Sequence, residues 1–235
     1  MPNVEDSTGA RASTIPGSRS ATAPERLLPR GRHDLSREVV ARTQRDRLVD
    51  AMAATVAAKG YVGASLGDVC GAAGVSTKAF YQHFADKETC FLATFELGVR
   101  VLQENVVTAY RRPGSWPERM RHGLAALLDT LAAEPAFAAL AVVEVMAAGP
   151  RARQCRRDLL AGYLRFFDDA PASVAARVPS AATEAVVAGV YGVIFEYVAT
   201  GRVAELPDRL ADLTYFVLVP FLGRSPAAAA AGLLG

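Results

Sequence analysis

Ser65-Leu66-Gly67-Asp68-Val69-Cys70-Gly71-Ala72-Ala73-Gly74-Val75-Ser76-Thr77-Lys78-Ala79-Phe80-Tyr81-Gln82-His83-Phe84 is the stretch on which the fold turns. Ser65 and Asp68 have the spacing of a capping box, in which each side chain serves the other residue's backbone N–H. They open a short helix with Leu66, Val69, Cys70 and Ala73 on one face. Gly74 stops that helix after two turns. Val75 and Ser76 then restart one, with Ser76 as cap and Val75 placed to staple onto Phe80. Phe80 and Phe84 share the inner side, and Thr77, Lys78, Tyr81 and Gln82 are left on the outer. Two short helices about a glycine-centred turn make a helix-turn-helix. An outer face of donors and acceptors is what base edges and phosphates are read with. A helix buried all round would not keep those four residues together.

Working outward, the stretch from Ser36 or Glu38 to Lys59 carries Leu48, Met52 and Val56 at steps of four, and Gly60 sits where a left-handed residue would end it. Downstream, Asp86 caps a helix whose Phe91, Phe95, Val99, Leu102 and Val106 form a stripe ending near Thr108. A second capping box, Ser115-Trp116-Pro117-Glu118, opens a helix carrying Met120, Leu124, Leu127, Leu128 and Leu131. Helices over about 136–148, 151–167, 181–200 and 206–222 complete an expected set of nine. No stretch alternates with period two, so the fold class is all-α. The domains expected are a disordered basic arm over 1–36, a DNA-binding unit over 37–85, a ligand-binding and dimerisation unit over 86–225, and a tail over 226–235. The last two long helices are apolar around much of their circumference, which calls for cover on more than one face.

Composition narrows the function. A net charge of +2 over 235 residues excludes a polycation, so nucleic-acid contact must rest on local clustering. Between Arg11 and Arg47 there are nine Arg and no Lys against four acids, which supplies it. Within that segment, Leu28-Pro29-Arg30-Gly31-Arg32-His33 reads either as a solvated basic tail or as an arm placing Arg30 and Arg32 in a minor groove. Cys70, Cys90 and Cys155 are odd in number and widely spaced, which suits buried reduced thiols or a redox switch rather than a metal site or disulfide framework. No apolar run looks long enough for a membrane span and the polar stretch from Met1 to Ala23 lacks the apolar core of a signal peptide, so a soluble, cytoplasmic protein is expected. Walker, Rossmann, HExxH and nucleophile-elbow motifs are missing and only three His are available. No enzyme activity, catalytic residue, metal or cofactor is therefore expected. A purely architectural DNA binder has no use for the aromatic-rich second half. That half is expected to hold a pocket drawn from Phe137, Val143, Met146, Tyr163, Phe166, Phe167, Tyr191 and Phe195, with Glu144, His122 and Glu196 as its few polar groups. Glu144 lies in an apolar run and must find a partner, either an Arg such as Arg121 or a polar group of a ligand.

Gly60-Tyr61, Ser65 to Val69, and Ala73 through Glu88 together resemble the N-terminal signature of the TetR family of transcriptional regulators. The match lies in the Gly-Val-Ser turn, the Tyr-x-His-Phe ending and the Lys87-Glu88 pair. The resemblance covers about a quarter of the chain. Lys78 and Ala79 stand where many members carry Gly and Thr, and Gln82 falls at a variable position, so no known operator carries over. The resemblance implies an all-helical homodimer joined through the last two helices, about 181–200 and 206–222. By position it implies phosphate-backbone contacts from Ser65, Thr77, Tyr81, His83 and Lys87, and base reading by Lys78 and Gln82, with Ser76 also among the DNA-binding residues. The function it implies is a ligand-responsive regulator, a repressor released from palindromic double-stranded operator DNA by a small apolar or aromatic effector. Phe137, Glu144, Tyr163, Phe167, Tyr191 and Phe195 are the expected effector contacts.

Overall fold

The computed structural model describes residues 15–18, 36–176 and 178–234, and among them there are eleven α-helices and no strand. Three helices form the N-terminal unit: α1 (Arg37–Gly63), α2 (Leu66–Ala73) and α3 (Thr77–His83). Side-chain caps set their starts. The Ser36 hydroxyl accepts from the Val39 N–H at 3.3 Å, and the Ser65–Asp68 box closes in both directions. Helix α4 (Lys87–Tyr110), capped by Asp86 on the Thr89 N–H at 2.7 Å, leads into the second unit and packs along α5 (Trp116–Ala133).

The expected helix over 136–148 is broken. Helix α6 (Pro135–Ala138) continues as a π-helical turn, Ala139–Val143, and a 3-10 turn, Glu144–Met146. Then come α7 (Pro150–Tyr163) with a 3-10 extension over Leu164–Phe167, α8 (Ala172–Ala175), α9 (Ser180–Ala199), a 3-10 segment over Val203–Arg209, α10 (Leu210–Leu222) and α11 (Arg224–Ala231). Helices α8 and α11 are the two beyond the expected nine. The first lies between the helices expected over 151–167 and 181–200. The second occupies the expected tail, where Ala227 and Ala231 are buried as it packs on α10 and α5. Helix α9 also corrects the expectation of no span-length apolar run. It has a mean hydropathy of 1.4 over a membrane-spanning length, because Ala and Gly between its Val and Ile residues dilute the pattern by eye but not in sum.

One apolar core runs through both units. Leu48 and Met52 of α1, Phe80 of α3, Phe91 of α4 and Phe137 of α6 are fully buried within it. Burial of each such side chain contributes about 1.5–3 kcal/mol.

The segment expected to be a disordered arm is corrected at residues 15–18. Ile15 is 1% exposed, among the most buried side chains described. Ile15-Pro16-Gly17-Ser18 forms a turn in which the Ser18 N–H and hydroxyl donate to the Ile15 carbonyl at 3.2 and 2.7 Å. Pro16 and Gly17, the latter at φ +89°, occupy the two central positions that a type II turn reserves for them. The Gly17 N–H donates to Asp50 Oδ1 of α1 at 2.9 Å. A Cβ on Gly17 would stand 3.1 Å from both Ala53 of α1 and Ala136 of α6. The turn is thus wedged where the N-terminal unit meets the second. Arg30 and Arg32 lie outside the described residues.

Candidate nucleic-acid interface and ligand cavity

The reading unit is built by local geometry. Gly74 ends α2 in the left-handed region at φ +59°, and its N–H and that of Val75 return to the Cys70 carbonyl. A side chain there is disfavoured by φ, and a Cβ would fall 2.4 Å from the Arg47 guanidinium, which donates to the Gly74 carbonyl and would have to shift. The Ser76 hydroxyl then accepts from the Ala79 N–H at 3.2 Å and starts α3. Phe80 is buried against Phe84 and Tyr81 with ring centroids 5.6 Å apart in both pairs. That burial fixes the rotation of α3. Thr77, Lys78 and Gln82 are exposed beside Tyr81, which is 57% exposed.

Ser65 and Ser76 are exposed at helix starts, with hydroxyls that serve as caps. Asp68 accepts from Ser65 and from Lys59 at 2.6 Å, and these bonds hold its carboxyl well below the usual carboxylate range. His83 is half-buried with Nε2 3.1 Å from Gln44 Oε1 of α1. Burial first, and then the neighbouring Arg45 charge, lower its pKa and favour the neutral ring. Nothing in the sequence singles out Arg45, yet it lies exposed over the Phe84 ring at 5.2 Å, beside the end of α3. Its signal is the arginine-rich composition of the segment, which does not say which arginine faces α3.

Lys87 is placed differently from the phosphate contact expected of it. Its ammonium donates to the carbonyls of Tyr61 and Ala64 at 2.8 and 2.9 Å and sits 4.2 Å over the Tyr61 ring. These carbonyls come free because α1 kinks at Gly60, φ +70°, and ends one turn later. A cation is well placed at such a helix end. Glu144 grips the same turn from the other side, its carboxylate accepting from the Tyr61 N–H at 2.6 Å. The anticipated pairing with Arg121 is replaced by this backbone bond. Residues 60–64 are therefore held by α4 through Lys87 and by the second unit through Glu144.

The second unit holds a partly open cavity of about 120 Å³ between α4, α5, the π-helical turn, α7, α9 and α10. Tyr163, Phe167 and Tyr191 of the expected contacts line it, together with Phe166. Phe137, Glu144 and Phe195 do not, nor do Val143, Met146, His122 and Glu196. Phe137 instead faces α4 across Gly98, where a Cβ would lie 2.1 Å from its ring. The π-helical turn is the physical reason for part of this reassignment. One extra residue in a turn rotates the residues downstream of it by about 100° and swings Glu144 toward α1. Its loosened ladder leaves the Val142 carbonyl to accept from the Tyr191 hydroxyl at 2.7 Å. Phe166 is fixed by its carbonyl, which accepts from the Trp116 indole at 2.9 Å and lies 3.1 Å from the Tyr110 hydroxyl. Burial pushes the Tyr110 hydroxyl up to about 12 and the Cys90 thiol likewise to about 12. Cys70 and Cys155 are also raised by burial, which disfavours the reactive thiolate. Among the described residues no group of three His, Cys, Asp or Glu is placed to hold a metal.

A helix-turn-helix with an exposed polar reading face, backed by a helical domain around an apolar cavity, defines a DNA-binding regulator. Residues 48–94 match the family of bacterial regulatory proteins described as the tetR family. The chain thus carries the DNA-binding domain of the tetR family, and its fold as a whole is that of those regulators. The fatty acid degradation regulator FadR from Bacillus halodurans is 18% identical over 77% of this chain and 96% of its own, with a TM-score of 0.65. FadR from Bacillus subtilis in complex with stearoyl-CoA is 18% identical over 75% of this chain and 97% of its own, at 0.61. A gamma-butyrolactone receptor, an ArpA-like protein, is 21% identical over 83% of this chain and 98% of its own, at 0.60. No curated protein sequence matches the chain.

Proposed function

We propose that the chain is a transcriptional repressor that acts in the cytoplasm as a homodimer and leaves a palindromic operator when a small apolar or aromatic molecule fills its cavity. One observation carries this reading: a wall of the cavity is bonded to the DNA-reading unit. Ala141 and Val142 line the cavity, and Glu144, two residues on, holds the Tyr61 N–H. Leu102 and Val106 of α4 line it too, and α4 begins at Lys87, which holds the Tyr61 and Ala64 carbonyls. An occupant that favours one arrangement of these walls biases the orientation of α1 to α3 by its differential affinity for the two states. About 1–3 kcal/mol of coupling gives substantial release, and DNA must weaken the effector by the same factor. The tetR-type fold holds stearoyl-CoA in the Bacillus subtilis FadR, which supports an effector role for this domain.

On DNA, Tyr81 and Thr77 contact phosphates, Lys78 and Gln82 read base edges, and Arg45 joins the phosphate set. Ser65 and Ser76 lie at the same face. His83 and Lys87 act from within, positioning α3 and the end of α1. Arg30 and Arg32 are kept as a minor-groove arm. The dimer forms where α9 turns Ala181, Ala185, Ala188 and Gly192 outward and α10 leaves Phe216 41% exposed. A second copy covers this small-residue, aromatic-flanked face, setting two reading helices a DNA turn or more apart.

Selection of duplexes from a random library tests the reading, followed by fluorescence anisotropy on the selected sequence. Two-fold symmetric sites are expected, with Gln82→Ala relaxing preference at one position at a cost of about 1–3 kcal/mol. Selected sites without two-fold symmetry, or unchanged preference in Gln82→Ala, would overturn it.

A further inference from the structure

Among the described residues, the cavity's lining contains no charged side chain and four polar ones, Tyr110, Tyr163, Tyr191 and Thr214. Three of these hydroxyls are already engaged. Tyr110 lies 2.9 Å from Asp169 Oδ2 and 3.1 Å from the Phe166 carbonyl. Tyr191 donates to the Val142 carbonyl at 2.7 Å, and Thr214 to the Leu210 carbonyl at 2.6 Å. Tyr163 differs. Its hydroxyl oxygen is buried and has no hydrogen-bond partner among the described residues. A buried donor without a partner is uncommon in native structures and needs an explanation, since leaving it unmade is costly. A bound molecule that accepts from it supplies one.

The rest of the lining limits what that molecule is. No charged side chain among the described lining residues stands ready to pair an ionised group that gives up its water inside, which favours a neutral occupant. A cavity of about 120 Å³ is of the order of an engineered apolar cavity known to take benzene, so the occupant has about the bulk of one substituted ring or a short branched chain.

We infer that this cavity recognises a neutral, mostly apolar molecule carrying one hydrogen-bond-accepting oxygen, a ketone, ester or ether, which the Tyr163 hydroxyl takes. The inference rests on the effector reading above and adds to it the ligand class and the residue that selects it. Tyr163 sits at the end of α7, where its ring packs near Phe166 with centroids 6.1 Å apart. Apolar surface supplies affinity, and the single hydroxyl discriminates between isosteres with and without an oxygen. Discrimination of this kind is strong because the unmatched polar group is penalised rather than merely unrewarded.

The test uses three probes of one size: acetophenone, ethylbenzene and benzoate. Each is titrated by calorimetry into the wild-type chain and into Tyr163→Phe, which keeps the ring and its packing. Acetophenone is expected to bind wild type about tenfold more tightly than ethylbenzene, and benzoate at least a hundredfold more weakly than acetophenone. In Tyr163→Phe the acetophenone preference falls to within about twofold, with ethylbenzene affinity unchanged. A preference that survives in Tyr163→Phe overturns the role of the hydroxyl and leaves the effector reading standing. Benzoate binding as tightly as acetophenone overturns the neutral-ligand class. Failure of both neutral probes to bind removes the cavity as a ligand site and overturns the effector reading with it.

Discussion

Truncating Ile15 is the sharpest test of the docked N-terminal turn. The side chain is 1% exposed, and Ile15→Ala removes three buried carbons. At about 0.8 kcal/mol per buried methylene the transfer loss alone is ~2.4 kcal/mol. A retained void would take the loss further, toward the upper part of the ~2–5 kcal/mol found for such truncations. The mutant has an escape, however. Beyond Ile15, the turn is held by the Gly17 N–H on Asp50 and by contact with Ala53 and Ala136. If it lets go, no void remains, and the loss is capped at the docking free energy. A loss of about 2 kcal/mol in urea unfolding is therefore expected, together with loss of hydrogen-exchange protection at the Gly17 amide. Gly17→Ala attacks the same turn independently. It forces a side chain onto φ +89° and puts a Cβ 3.1 Å from two alanine methyls, so it too should destabilise by about 1 kcal/mol or more. Ile15→Ala within about 0.5 kcal/mol of wild type, with the Gly17 amide exchanging unchanged, would refute the docked turn.

Lys87→Met should cost about 1–3 kcal/mol of stability through its two backbone carbonyls while leaving the salt slope of DNA binding unchanged; a slope lower by about one would restore the phosphate role. Glu144→Ala should cost about 1–3 kcal/mol by stranding the Tyr61 N–H, with Glu144→Gln recovering most of it and Arg121→Ala near neutral; an equal loss in Arg121→Ala would place the pairing elsewhere. Gly98→Ala drives a methyl into the Phe137 ring and should lower stability by about 1–3 kcal/mol or more in thermal unfolding, a neutral result contradicting the close approach of α4 and α6. His83 has its folded pKa depressed, so its contribution is complete above the unfolded value of about 6.5 and declines as pH falls through and below it. Urea midpoints between about pH 7.5 and 5.5 should therefore drop less steeply in His83→Gln than in wild type, and parallel profiles would remove this assignment.

The reading unit was legible because everything that shapes it is close in sequence. Ser65 and Asp68 sit three apart, Gly74 ends one helix where Ser76 begins the next, and Phe80 and Phe84 orient α3 from within it. No distant contact is needed to predict which way Tyr81 and Gln82 face. The cavity was half legible for the complementary reason. An apolar run supplies the lining residue types, but the face they present depends on helical phase. The π-helical turn over Ala139–Val143 resets that phase without a Gly or Pro to announce it. Beyond it, in elements with their own phase, Tyr163, Phe167 and Tyr191 line the cavity and Phe195 does not; Phe137 and Glu144, on either side of the reset, do not line it either.

The contacts that escaped the sequence share one property: the partner is a group brought near only by the tertiary fold, and in most cases a backbone group. Lys87 looked like a phosphate ligand because it opens a helix beside the reading motif. Its acceptors are carbonyls 26 and 23 residues upstream, exposed only because α1 kinks at Gly60. Glu144 looked like half of an ion pair, and its partner is a backbone N–H 83 residues away. Ile15 is a lone apolar residue in a polar stretch, where no periodicity marks it for burial. Side-chain chemistry advertises itself in a sequence; a backbone donor or acceptor is present at almost every position and advertises nothing. All three of these contacts lie where the N-terminal unit meets the elements it docks against. The proposed effector response requires two states at that junction, so the sequence reveals the class of function more readily than the linkage that would switch it.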